Sequence, residues 1–132
     1  MIKKLLVGSV GAMVATAAAA QEVWQDEQYT HSFDTYSICL IRAIEGRAQA
    51  RSAPNNAAVD RFFDRCSEAK AANTKLAEAR LSKLMPSLSP QQVRARVRAF
   101  RRGVVILRMQ PIFQQRGLGA QFETFVQRNQ EF

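Results

Sequence analysis

Two cysteines constrain this chain most. Cys39 and Cys66 each sit inside a run of apolar residues with helical spacing, and a turn-forming segment separates the two runs. On the first side Phe33, Tyr36, Leu40, Ala43 and Ile44 share one stripe, which predicts a helix from residue 33 to about 50 with Ser32 as N-cap and Asp34 in its first turn. Ile38, Cys39 and Ile41 add apolar surface off that stripe, so the helix needs neighbours on more than one side. Ser52-Ala53-Pro54-Asn55-Asn56 is turn and cap chemistry. A second helix follows over 57–84, with Val59, Phe62, Phe63, Cys66, Ala69, Leu76 and Leu84 inward and Pro86 ending it. Cys39 then lies eleven residues before the turn and Cys66 nine after it. At ~1.5 Å per residue the two are level to within about 3 Å. The expectation is an antiparallel hairpin stapled by Cys39–Cys66, with two buried free thiols as the alternative. The bridge would close a 28-residue loop, which the chain-entropy model values at about 3–4 kcal/mol. No C-x-x-C spacing points to redox catalysis or zinc.

Whether such a pair is oxidised depends on compartment. The chain opens MIKKLLVGSVGAMVATAAAA, with Lys3 and Lys4 ahead of an uncharged apolar run that ends in small residues at Ala18 and Ala20. That is the layout of a secretory signal peptide, so residues 1–20 are expected to be cleaved and the protein exported, to the periplasm or, alternatively, secreted. The Gly- and Ala-rich half of the run makes a poor membrane anchor, and no transmembrane span is expected after cleavage. The first cysteine, Cys39, lies too far on for a lipoprotein. Residues 21–31, QEVWQDEQYTH, offer only Val23, Trp24 and Tyr29 as anchors and read as an arm, poorly ordered or laid across the body. Residues 32–132 are left as a single domain. A total of 132 residues is too few for a second core, while 47% apolar residues with only 6 Gly and 4 Pro are unlike a disordered chain.

Leu88-Ser89-Pro90-Gln91-Gln92-Val93 starts a third helix. Ser89 is the N-cap, Pro90 fits the first helical position, Gln92 can close a capping box, and Leu88 and Val93 form a hydrophobic staple. At 100° per residue, Val93, Val97, Phe100, Val104 and Leu107 fall within about 80° of arc. Arg94, Arg98, Arg101, Arg102 and Arg108 fall in an adjoining arc of about 120°, with Arg96 on the opposite flank. Gly103 weakens the helix, and Val104 to Leu107 could instead form a short strand. The apolar stripe keeps its phase across Gly103, which favours one helix. Pro111 should kink or end it, and Phe122, Phe125 and Val126 mark a short final helix after Gly117 and Gly119. The fold class is therefore all-α: a stapled hairpin, an amphipathic basic helix and a short C-terminal helix.

Charge is segregated. Between Glu78 and Glu123 there are nine basic residues and no acid, and loss of Lys3 and Lys4 with the signal peptide lowers the formal charge from +8 to +6. Arginine outnumbers lysine 14 to 5, and guanidinium pairs bidentately with carboxylate and phosphate. Arg94, Arg98, Arg101, Arg102 and Arg108 are thus candidate anion-binding residues for an acidic protein or an anionic envelope surface. The alternative is a solvated face, or one that pairs with Asp60, Asp64 and Glu68 across the bundle. Nucleic acid is disfavoured because no aromatic interleaves the arc, and membrane-surface binding would need an apolar stripe that a folded core consumes. His31, with Glu27 and Asp34 nearby, would share a helix face able to hold a divalent ion; an exposed histidine near a helix cap is the favoured reading, with no metal. No nucleophile elbow or phosphate-binding glycine loop is present. The expectation is a non-enzymatic protein without a cofactor.

Two resemblances add to this reading. Tyr36-Ser37-Ile38-Cys39 and Phe63-Asp64-Arg65-Cys66, one cysteine in each arm of a hairpin, resemble the small two-cysteine helical periplasmic proteins of alphaproteobacteria, over residues 33–70. That resemblance implies a compartment and no activity. Leu88-Ser89-Pro90-Gln91-Gln92 is similar to the L-T-x-x-Q motif of the Spy and CpxP periplasmic chaperone family, with Ser89 where the family has Thr and no second copy. It implies an all-α dimer with a basic concave surface and a chaperone or envelope-stress role as the alternative function.

Overall fold

The computed structural model describes residues 23–47 and 56–132; the N-terminal segment read as a signal peptide and the turn at 52–55 lie outside them. Among the described residues a helical turn at 23–25 is followed by five longer helices in order: α1 Glu27–Arg47, α2 Asn56–Arg65, α3 Ser67–Leu84, α4 Pro90–Gln115 and α5 Gly119–Arg128. No strand occurs among the described residues, so the fold is all-α as the periodicity predicts.

Cys39 and Cys66 are joined, with Cα atoms 5.9 Å apart. Two further links fix the hairpin: Asn73 Nδ2 donates to Ser32 Oγ at 3.0 Å, and Arg80 pairs with Asp26 at 2.6 Å. Residues 26, 32 and 39 on one arm thus meet 80, 73 and 66 on the other, the order of an antiparallel pair.

Of the segment 21–31 read as an arm, residues 21 and 22 lie outside the described residues and 27–31 are the first turns of a helix. α1 begins at Glu27, because the Asp26 carboxylate accepts the Tyr29 amide at 2.9 Å and so caps the helix six residues before Ser32. Val23 and Tyr29 are buried. Ser32 is no cap but lies inside α1, buried, donating to the Tyr29 carbonyl at 2.7 Å. The long second helix is also corrected. It breaks at Cys66, whose amide reaches back only to the Phe63 carbonyl, leaving α2 and α3 as separate helices on either side of the disulfide. Leu76 is not inward. At 100° per residue it lies about 80° from the line through Cys66, and Asn73, Ala77 and Leu81 hold the buried positions of α3.

α4 starts with the expected capping box, the Ser89 hydroxyl accepting the Gln92 amide and the Gln92 side chain accepting the Ser89 amide. It is continuous through Gly103 and also through Pro111. The bond that Pro111 cannot donate would have gone to the carbonyl of Leu107, and both residues are exposed, so water can serve that acceptor. The helix ends in a Schellman motif: Gly117 takes φ 71°, Leu118 N donates to the Phe113 carbonyl at 2.8 Å, and Gly117 N to that of Gln114 at 3.1 Å.

Two apolar clusters form the core. Val23, Tyr29, Phe33, Ala77, Leu81, Val93 and Val97 make the first. The second gathers Tyr36, Leu40, Ile44, Val59, Phe62, Cys66, Val105, Met109 and Phe113 with the aromatic rings of α5. There Phe63 stacks on Phe125 at 4.2 Å and Phe113 on Phe122 at 4.4 Å. Each of α1, α3 and α4 passes from one cluster to the other. The four buried polar residues, Ser32, Ser37, Asn73 and Arg101, lie where they cross.

Candidate interaction surface

The buried residues of α4 are Val93, Val97, Arg101, Val105, Met109 and Phe113, an unbroken four-residue spacing. Such a row is a single i±4 ridge, and it advances about 40° around the helix at each step. Beginning on the valine stripe, it therefore crosses into the arginine arc by residue 101. This winding decides the fate of both faces read from the wheel.

Arg101 is 2% exposed. Its guanidinium donates to Asn73 Oδ1 at 3.0 Å, Thr74 Oγ1 at 2.5 Å and the Phe132 carbonyl at 3.2 Å, and it has no ion-pair partner among the described residues. Burial holds its pKa below the usual arginine value, with the Tyr36 phenol and the Glu131 carboxylate acting the other way. It is not at the surface. Arg102 donates to the Val126 carbonyl at 3.0 Å and lies over the Phe132 ring at 5.4 Å. Arg98 pairs with Glu131 at 2.8 Å, and Arg108 pairs with Asp34 and also reaches Ser37 Oγ. Arg94 is exposed and has no ion-pair partner among the described residues. Within the arc, then, Arg101 is buried and Arg102 half-buried while Arg94, Arg98 and Arg108 are exposed, and its partners lie on α1, α3 and the C-terminal segment rather than at Asp60, Asp64 and Glu68. Asp60 instead meets Arg128 at 3.7 Å.

The opposite consequence falls on the apolar stripe. As the ridge winds away, Leu107 is left 77% exposed and Phe100 and Val104 half-buried. Trp24 comes down beside them from the segment before α1, 42% exposed, its ring 3.9 Å from that of Phe100 and tilted by 31°. Phe100 is backed edge-on by Phe33 at 4.6 Å. Trp24, Arg96, Ala99, Phe100, Gly103, Val104 and Leu107 line a shallow groove of about 540 Å³. A Cβ at Gly103 would meet nothing within 4 Å, so the groove is open above it. Arg96 makes only a long contact of 3.7 Å to the Met85 sulfur. The surface therefore joins an aromatic shelf and an exposed leucine to one cation, Arg96, that has no carboxylate partner among the described residues.

Trp24 and Leu107 were hidden from a fixed-face wheel. Following the four-residue spacing from Val93 would have found both the buried Arg101 and the stranded Leu107. The chemistry assigned to His31 can also be placed: Glu27, His31 and Asp34 do fall on one helix, α1, but Asp34 is engaged by Arg108. Among the described residues no three His, Cys, Asp or Glu side chains are grouped to hold a metal ion. No described helix is long and apolar enough to cross a membrane. Comparison with known proteins finds no matching family model, no matching curated protein and no matching solved structure.

Proposed function

We propose that this is an exported, non-enzymatic binding protein whose α4 outer face docks an acidic protein segment carrying apolar residues. One observation carries the reading: Leu107 and Trp24, both exposed apolar side chains, flank a groove whose only charged lining residue is the cation Arg96. An exposed apolar surface of this kind rimmed by one sign of charge marks a partner site more often than a solvated face. The partner is acidic because the charge lining the groove is the cation Arg96 and residues 79–122 hold no carboxylate, so an approaching cationic or neutral surface gains nothing from it.

The test is retention of envelope proteins on immobilised, disulfide-bonded protein, comparing the parent with an Arg96→Gln/Leu107→Gln variant. Both residues are exposed, so the variant keeps the parent's helical circular dichroism. A defined set of acidic proteins, retained by the parent at low salt and lost both in the variant and at high salt, supports the reading. Equal retention by parent and variant overturns it. Salt-sensitive suppression of aggregation across unrelated client proteins would replace a specific partner with a Spy-like chaperone role. Binding to anionic vesicles in preference to acidic proteins would replace it with the envelope surface.

A further inference from the structure

A second groove, of about 630 Å³, follows the seam between α1 and α3. Its α3 wall is Ala69, Ala72, Leu76 and Ala79, and its α1 wall includes His31 and Thr35. Alanines leave the seam unfilled, and Leu76 stands in the middle of it, 61% exposed on a helix whose neighbouring positions Lys75 and Glu78 are charged. No Asp or Glu lines the groove, and its fixed charge lies at one end, at Arg80 and Lys83. Both Arg80 bonds go to a single oxygen, Asp26 Oδ2, and Lys83 has no ion-pair partner among the described residues.

An apolar trough with a cation at one end matches a molecule that is apolar along its length and anionic at its head. From Ala69 to Lys83 is about 21 Å at ~1.5 Å per residue, the length of an extended acyl chain of about sixteen carbons. A volume of about 630 Å³ lies within the range of small-ligand sites, roughly 300–1,000 Å³. We propose that the α1–α3 groove binds a single-chain fatty acid, its acyl chain along Ala72, Leu76 and Ala79 and its carboxylate at Lys83. The site shares no residue with the α4 surface, so either proposal can fail without the other.

The test is titration of the purified, disulfide-bonded protein with hexadecanoate below its micelle concentration, with uncharged hexadecanol as the comparison. Saturable binding of one hexadecanoate per chain is expected. Ala72→Trp fills the trough and should weaken binding at least tenfold. Leu76→Glu, which places a carboxylate against the chain, should do the same and covers the case in which Ala72→Trp perturbs the fold. Lys83→Gln should weaken hexadecanoate about two- to fivefold, the scale of an exposed ion pair, and leave hexadecanol unchanged. No saturable binding, or binding undiminished in both Ala72→Trp and Leu76→Glu, overturns the proposal. Binding of two-chain anionic vesicles in preference to hexadecanoate, lost in the same variants, overturns the single-chain assignment.

Discussion

Replacing Arg101 by methionine tests the polar layer between the two apolar clusters. Methionine keeps the unbranched stem on the Val97–Val105 ridge and removes only the guanidinium. Thr74 still donates to the Lys70 carbonyl at 2.9 Å, but Asn73 Oδ1 and the Phe132 carbonyl lose the donor that serves them. Two stranded buried acceptors cost about 1–3 kcal/mol each. Against this stands relief from burying a guanidinium with no carboxylate in contact, a desolvation cost that can be several kcal/mol. The hydrogen bonds should win because three acceptors surround the group, and the net loss should be about 2–4 kcal/mol. For a small domain that is a large fraction of the whole, about 5–15 kcal/mol, and should lower the urea midpoint by roughly 1–3 M. Equilibrium unfolding followed by circular dichroism measures it. The double variant Arg101→Met/Asn73→Leu removes a stranded acceptor together with its donor and should recover at least 1 kcal/mol relative to the sum of the single changes. An Arg101→Met protein as stable as the parent, or more so, would refute the reasoning and make the arginine a net burden on the core.

Reduction of Cys39–Cys66, or its replacement by serines, should cost about 3–4 kcal/mol by the loop-entropy estimate, and an unchanged denaturation midpoint on adding reductant would contradict that. Gly103→Ala should stabilise by about 0.5–1 kcal/mol, because the position is helical, its φ is not positive and a Cβ meets nothing within 4 Å; a lowered thermal midpoint would show that glycine is required there. Burial pushes the Tyr29 and Tyr36 phenols up, Tyr36 to about 12, against the opposing charge of Arg101. Above the ordinary phenol value of 10.0 the unfolded chain therefore loses protons that the folded chain keeps, so these groups leave stability untouched at lower pH and erode it as pH rises from there toward 12. Urea midpoints that stay level between about pH 9 and pH 11 would rule this out.

The helical spacing around Cys39 and Cys66, the turn chemistry between them and the Ser89 capping box were sufficient for an all-α fold with a stapled hairpin, because each is set by residues within one or two turns of one another. The same local signals misplaced other features. Asp26 caps α1 through a carboxylate that Arg80, 54 residues away, also holds, and the acidic segment around it read as an arm because its apolar residues are few. Leu76 read as core because it is a leucine, although Asn73 and Ala77 occupy the buried line. Arg101 read as surface because it is an arginine.

What the sequence determined by itself was the element type, the disulfide pairing and the segregation of charge onto one segment. Only the tertiary structure decided which side of α4 faces inward at each turn. The helix packs against α1 and α3, and toward its end against α5 and the Phe62 and Phe63 rings of α2, and its buried ridge winds to follow them. A helical wheel assumes one fixed face; here the face rotates, burying Arg101 among polar partners and leaving Leu107 and Trp24 in water.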